Sequence, residues 1–284
     1  MKYKLGDLLR EVFGDIDKFF TAKCFMTEKT EIKIFDEKER IDTLRNYSKQ
    51  KNYDIVLVKR KNKQLSYIKS KDMENCKNIS DIINTISKEE KISINAQIPE
   101  IIDKLEELKY VFVYDIMDSF EGLITYADLN NSSLYSYLYV FISDFEKLLR
   151  NIIKLSHKED EWLKHLSESN QKEIGGNFIA CKANGIETSL LECTTITQLK
   201  VVLCKAKLSN KIICYDTNKK YDSKLKKIID CRNTIMHNRN LIKSKENYDD
   251  FYKFLYDFCT QRKEIYNYCT KLREESNKMS GLAI

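Results

Sequence analysis

The spacing of apolar residues in this chain changes near residue 130, and that change limits the possible folds more than any other feature. Before Asn130, short β-branched and aromatic runs alternate with polar turn residues; from Ser132 onward, apolar side chains recur at three- and four-residue steps. Tyr53-Asp54-Ile55-Val56-Leu57-Val58 reads as a strand, Lys59–Lys63 as a turn and Gln64–Ile68 as the returning strand. The same plan recurs in Tyr110–Tyr114, the connection Asp115–Glu121 and Gly122–Thr125, so the first half contains an internal repeat. The expected fold is therefore an α+β unit over residues 23–131 followed by an all-α bundle over 132–284. Residues 1–22 read as an amphipathic helix, with Leu5, Leu8, Leu9, Val12, Phe13, Ile16, Phe19 and Phe20 on one face, able to pack on either domain.

In the second half, Leu134, Leu138, Phe141, Phe145, Leu148, Leu149 and Ile152 predict a long buried helix from about Ser132 to His157. A short helix is expected at Glu161–Ser169, a break at Gly175-Gly176-Asn177, and another helix at Ile196–Lys207 after the cap candidates Thr194 and Thr195. Leu225, Ile228, Ile229 and Ile235 mark the next helix. Phe251, Phe254, Leu255, Phe258 and Ile265 mark the last, about Asp249–Lys278, which completes the bundle.

Charge separates the halves as clearly as periodicity does. Residues 1–130 carry 23 Lys and Arg against 24 Asp and Glu, whereas residues 131–284 carry 26 against 19, so the positive excess lies wholly in the helical half. Lysines crowd positions 200–227, as they would in front of a phosphate backbone. No run of eighteen apolar residues appears, and the amino-terminal stretch lacks a signal-peptide core, so a cytoplasmic protein with no membrane partner is expected. Nine cysteines, an odd number without a CxxC pair, argue against a zinc or disulfide framework. Neither a Walker A loop nor a G-x-S-x-G elbow occurs, and kinase and dehydrogenase patterns are missing too.

Chemistry concentrates in Cys231-Arg232-Asn233-Thr234-Ile235-Met236-His237. An imidazole moves protons near neutral pH, and a guanidinium neutralises the added negative charge of a phosphorane. RNA suits such a pair because its 2′-hydroxyl is an internal nucleophile. Arg232 and His237 lie about 140° apart around a helix, so one chain offers an incomplete site. Arg232, four intervening residues and His237, with Asn233 after the Arg, resemble the R-x4-6-H signature of the HEPN family. Phe145-Glu146-Lys147-Leu148-Leu149-Arg150 resembles that family's first helix. The resemblance implies a metal-independent endoribonuclease acting as a homodimer, with Arg232, Asn233 and His237 catalytic. Lys227 and Arg239 are the expected RNA-gripping residues. No cofactor is required.

In the first half, Val111–Asp115 followed by Gly122-Leu123-Ile124-Thr125-Tyr126-Ala127-Asp128 resembles the end of a CBS domain, two of which form a Bateman module. The resemblance implies an adenine nucleotide effector touching Thr125 and Asp128. The first copy departs from the pattern: aligning Asp72 with Asp128 sets Lys69 against Thr125 and Ser66 against Gly122. Together the two resemblances imply an RNase gated by nucleotide binding, of the kind found in stress or phage-defence effectors, with an antitoxin as a further expected partner. The alternative expectation is a non-catalytic HEPN scaffold that binds RNA or senses a nucleotide.

Overall fold

In the computed structural model, residues 4–13, 17–74, 76–212 and 218–281 are described. They divide into two units, one of residues 17–131 and one made of the amino-terminal residues together with 132–284. Ile16 of the expected amphipathic face and Cys214 fall outside the described residues. The expected helix over 1–22 is shorter: α1 covers Leu5–Phe13, and Asp17–Phe19 and Ala22–Cys24 are separate 3-10 turns. Leu5 and Leu9 are fully buried. Lys263 pairs with Glu11 at 2.6 Å, which ties α1 into the helical unit.

The α+β unit is built twice from one plan. Strand β1 (Thr27–Glu28), β2 (Ile34–Asp36), α2 (Ile41–Lys51), β3 (Ile55–Lys59) and β4 (Leu65–Lys69) make the first copy. β5 (Asn84–Thr85), β6 (Lys91–Ser93), α3 (Ile98–Leu108), β7 (Tyr110–Tyr114) and β8 (Phe120–Thr125) make the second. The first two strands and the helix recur 57 positions later, and the hairpin strands start 55 positions later. Even the strained backbone recurs: left-handed Asn52 and Lys109 end the two helices, and left-handed Lys63 and Asp118 turn the two hairpins.

Each sheet borrows its outer strand from the other copy. The sheet orders are β2-β3-β4-β5 and β1-β8-β7-β6, so β5, which leads into the second copy, pairs with β4, while β1, which leads into the first, pairs with β8. The equivalent registers are Ser66 opposite Thr85 and Gly122 opposite Glu28. Reciprocal exchange closes only between two units related by a two-fold, because repeats stacked in one direction would leave a strand over. β3 is buried on both faces, which is why it reads as an unbroken apolar run. Its Val56 and Val58 pack with Phe35, Leu44 and Ile68; its Ile55 and Leu57 meet Tyr67, Phe112 and Phe120 from both copies. Gly122 answers a close approach, since a Cβ there would lie 2.5 Å from the Thr27 carbonyl oxygen. Its counterpart Ser66 is fully buried.

The helical unit centres on α4 (Ser132–Ser156), with α5 (Glu168–Ala183), α6 (Ile196–Lys205), α7 (Asn218–Met236) and α8 (Lys245–Gly281). Phe258 of α8 sits against Phe145 at 5.1 Å and Phe141 at 6.0 Å, so aromatic packing joins α8 to α4. Arg262 adds a 2.7 Å ion pair to Asp144. Thr195 and Gln198 form a reciprocal capping box at the start of α6. The expected break at Gly175-Gly176 does not occur: α5 runs through both glycines from its Ser167 cap. Two helical glycines cost about 1 kcal/mol each, and the Ser167 cap and the remaining intrahelical bonds carry the helix through them. A Cβ at either would meet nothing within 4 Å, and nothing in the structure explains why glycine stands there.

Candidate functional site

Inward on α7, Leu225, Ile228, Cys231 and Ile235 keep the three- and four-residue spacing and are buried. Lys226, Lys227 and Asn233 face solvent, and Arg232 lies between the two surfaces, half-buried. Its Nε is 3.7 Å from Oε1 of Glu146 on α4. The other oxygen of that carboxylate, Oε2, is 3.3 Å from Nη2 of Arg150. Arg150 in turn donates to the Leu191 carbonyl at 3.2 Å and the Thr194 carbonyl at 2.9 Å. One mostly buried carboxylate thus stands between two guanidinium groups. The trio keeps a net positive charge on the side where Arg232 reaches solvent.

The helix stops at Met236, one residue short of His237. Asn238 is left-handed at φ 49°, its N–H donates to the Ile235 carbonyl, and the Arg239 N–H donates to the Thr234 carbonyl. This is a Schellman ending with asparagine in the usual glycine place. His237 is its cap residue, and its own N–H still donates to the Asn233 carbonyl at 3.1 Å, so Asn233 and His237 remain one turn apart. Both side chains are exposed. Within one chain Arg232 points about 100° away from Asn233 and about 140° away from His237. Arg239 is exposed, and its carbonyl accepts from the Tyr135 hydroxyl at 2.9 Å, which fastens the segment after α7 to the start of α4. Lys227 makes no ion pair among the described residues.

The other histidines sit elsewhere. His157 Nδ1 is 3.2 Å from the Ile153 carbonyl at the end of α4, and the His165 ring lies 5.5 Å from it, edge-on. Burial, then the neighbouring His157, lowers the pKa of His165.

Cys231, next to Arg232, is held neutral: burial pushes its thiol up to about 12. It is no nucleophile. Because the folded pKa lies above the ordinary thiol value of 9.0, the neutral form is favoured by folding. That contribution is complete below about pH 9 and is lost as pH climbs towards 12. We expect the denaturant midpoint of the protein to fall between neutral pH and about pH 11, by less in Cys231→Ala than in the unaltered chain. An equal fall in both would show that the thiol contributes nothing.

In the α+β unit, Thr125 and Asp128 are brought together, but onto each other. Asp128 Oδ2 accepts from the Thr125 backbone N–H at 2.6 Å and from its hydroxyl at 2.7 Å, and Oδ1 accepts from the Thr27 hydroxyl at 2.7 Å. The motif therefore pins β1 to β8 and closes the turn after β8. A ribose diol would have to share this carboxylate with Thr125 and Thr27. The motif thus has an internal structural use in addition to any ligand.

Among the described residues, no three His, Cys, Asp or Glu side chains gather as metal ligands, and no helix is long and apolar enough to cross a membrane. The partnership of Glu146 with Arg232 joins positions far apart in sequence. Only the Glu146/Arg150 spacing on α4 hinted at it.

No known family's sequence profile matches this chain, and no curated protein is significantly similar to it. Solved structures do align with part of it. A hemolysin-like protein containing a CBS domain from Oenococcus oeni is 18% identical over 43% of this chain and 94% of its own, with a TM-score of 0.34. CBSX2, solved in complex with AMP, is 14% identical over 43% and 98%, with a TM-score of 0.35. CbpB, solved in complex with c-di-AMP, is 17% identical over 49% and 99%, with a TM-score of 0.36.

Proposed function

We propose that the helical unit is a metal-independent endoribonuclease that works as a pair of identical chains. One observation supports this best: Arg232 is fixed by Glu146 at the edge of α7, while Asn233 and His237 stand exposed at that helix's end on a different side. Two such surfaces related by a two-fold present an Arg from one chain beside the Asn and His of the other. In the reaction the RNA 2′-oxygen attacks its own phosphorus and gives its proton to one His237. The bond to the 5′-oxygen breaks, and the second His237, protonated, supplies the proton to the leaving oxygen. Arg232 stabilises the phosphorane oxygens by charge-assisted hydrogen bonds, and Asn233 orients the imidazole. The products are a 2′,3′-cyclic phosphate and a 5′-hydroxyl. Exposed Lys227 and Arg239 guide the strand.

The α+β unit is read as the regulator, with an adenine nucleotide as effector in keeping with its motif, and stress or phage defence as the setting. A second reading has its own support. Because Arg232 already pairs with Glu146 in its own chain, the motif also suits a scaffold that binds RNA without cutting it. Incubating the full chain with RNA in EDTA separates the two. Cleavage to cyclic phosphate ends is expected from the unaltered protein and is expected to be lost in His237→Ala and in Arg232→Lys. Absence of cleavage in the unaltered protein would leave the scaffold reading.

A further inference from the structure

A cavity of about 410 Å³ opens at the hairpin end of the α+β unit, and its lining has an unusual regularity. Lys29 and Ile86, and likewise Ile34 and Lys91, are lining residues 57 positions apart; Lys59 and Tyr114, and likewise Lys63 and Asp118, are 55 apart. Leu65 and Phe120 complete the series at the starts of β4 and β8. These offsets are those of the repeat itself, so both copies present equivalent positions to one space. That space lies on the two-fold relation between them. Thr125 and Asp128 are not among its walls.

The symmetry of place is broken in charge. The cavity gathers Lys29, Lys59, Lys63 and Lys91 around a single carboxylate, Asp118. Asp118 is taken by Lys91 at 2.7 Å, and the same ammonium lies 4.2 Å from the centre of the Tyr114 ring. Lys29, Lys59 and Lys63 have no carboxylate within ion-pair reach among the described residues. Like charges gathered around one concavity repel until a multiply charged anion lies between them, and the field inside such a cleft is focused. Ile34, Leu65 and Phe120 contribute apolar surface to the same cavity. The volume falls within the range of roughly 300–1,000 Å³ usual for small-molecule sites. Three of the four ammonium groups, Lys29, Lys59 and Lys63, come from the first copy and Lys91 from the second, and several separate cations along one wall favour a ligand with several linked charges over a single point charge.

We propose that this axial cavity binds a chain of linked phosphates, either free or carried by a nucleotide, through Lys29, Lys59 and Lys63, with Lys91 released from Asp118 to join them. The site stands whether or not the helical unit cuts RNA, and whether or not Thr125 and Asp128 meet a ligand.

Calorimetric titration of the full-length protein with sodium tripolyphosphate, at fixed ionic strength, tests it. Lys59→Ala combined with Lys63→Ala is expected to weaken binding by about tenfold or more, as loss of two charge-assisted contacts requires. Asp118→Asn is expected to tighten it, because the competing carboxylate is gone. Lys49→Ala combined with Lys51→Ala, which removes the same charge from exposed positions on α2 outside the cavity, is expected to leave it unchanged. ATP held through the same lysines, with AMP much weaker, would identify a nucleotide as carrier; tripolyphosphate bound and ATP refused would identify the free chain. No tripolyphosphate binding, or equal weakening by the two lysine pairs, would overturn the proposal.

Discussion

Replacing His237 with alanine is expected to lower RNA cleavage by roughly 10²–10⁴-fold, the loss usual for a general acid or base. The fold should not suffer. His237 is exposed, and what it contributes to the end of α7 is a backbone N–H donated to Asn233, which alanine retains. The turn beyond it depends on left-handed Asn238, which is untouched. The measurement is a cleavage rate on RNA in EDTA beside a thermal melt of the same preparation. Unchanged cleavage with an unchanged melt would remove the imidazole from the chemistry. Arg232 needs a different variant, because alanine there also strips Glu146 of a partner. Arg232→Lys keeps the charge and loses the planar fork, so a large loss in that variant would point to bidentate contact with phosphate rather than to charge alone.

The largest expected change in stability comes from Phe258. It is almost fully buried, stacks on Phe254 at 5.9 Å and meets Phe141 and Phe145 across the α4–α8 contact. Phe258→Ala removes most of a ring from the centre of that contact, where neighbouring aromatics are too rigid to fill the gap. Destabilisation of roughly 3–5 kcal/mol is expected. Urea unfolding followed by circular dichroism measures it, and a loss below about 1 kcal/mol would mean that α8 does not pack on α4 through this ring.

The repeat was legible because each signal in it is local. The run Tyr110–Tyr114 is the strand β7 residue for residue. The long apolar stripe of α4 was legible for the same reason, with its end at Ser156 one residue from the expected one. Features set by tertiary context were not legible. Gly175 and Gly176 look like a break, yet α5 carries them. The exchange of β1 and β5 concerns strands of two residues each, too short to leave a pattern. At the candidate site, the residue types and their spacing were readable, and so was the angle between Arg232 and His237. The helix end was missed because Asn238, not glycine, takes the left-handed position. The axial lysines escaped notice because Lys59 and Lys63 look like ordinary turn residues until the second copy folds beside them.

The reciprocal borrowing of β1 and β5 bears on how such a chain can change over generations. Neither half could be excised without stranding a piece of its neighbour, so the two copies can only be kept or lost together. Divergence between them, such as tyrosine and aspartate in one half where the other has two lysines, is division of labour between siblings that can no longer separate.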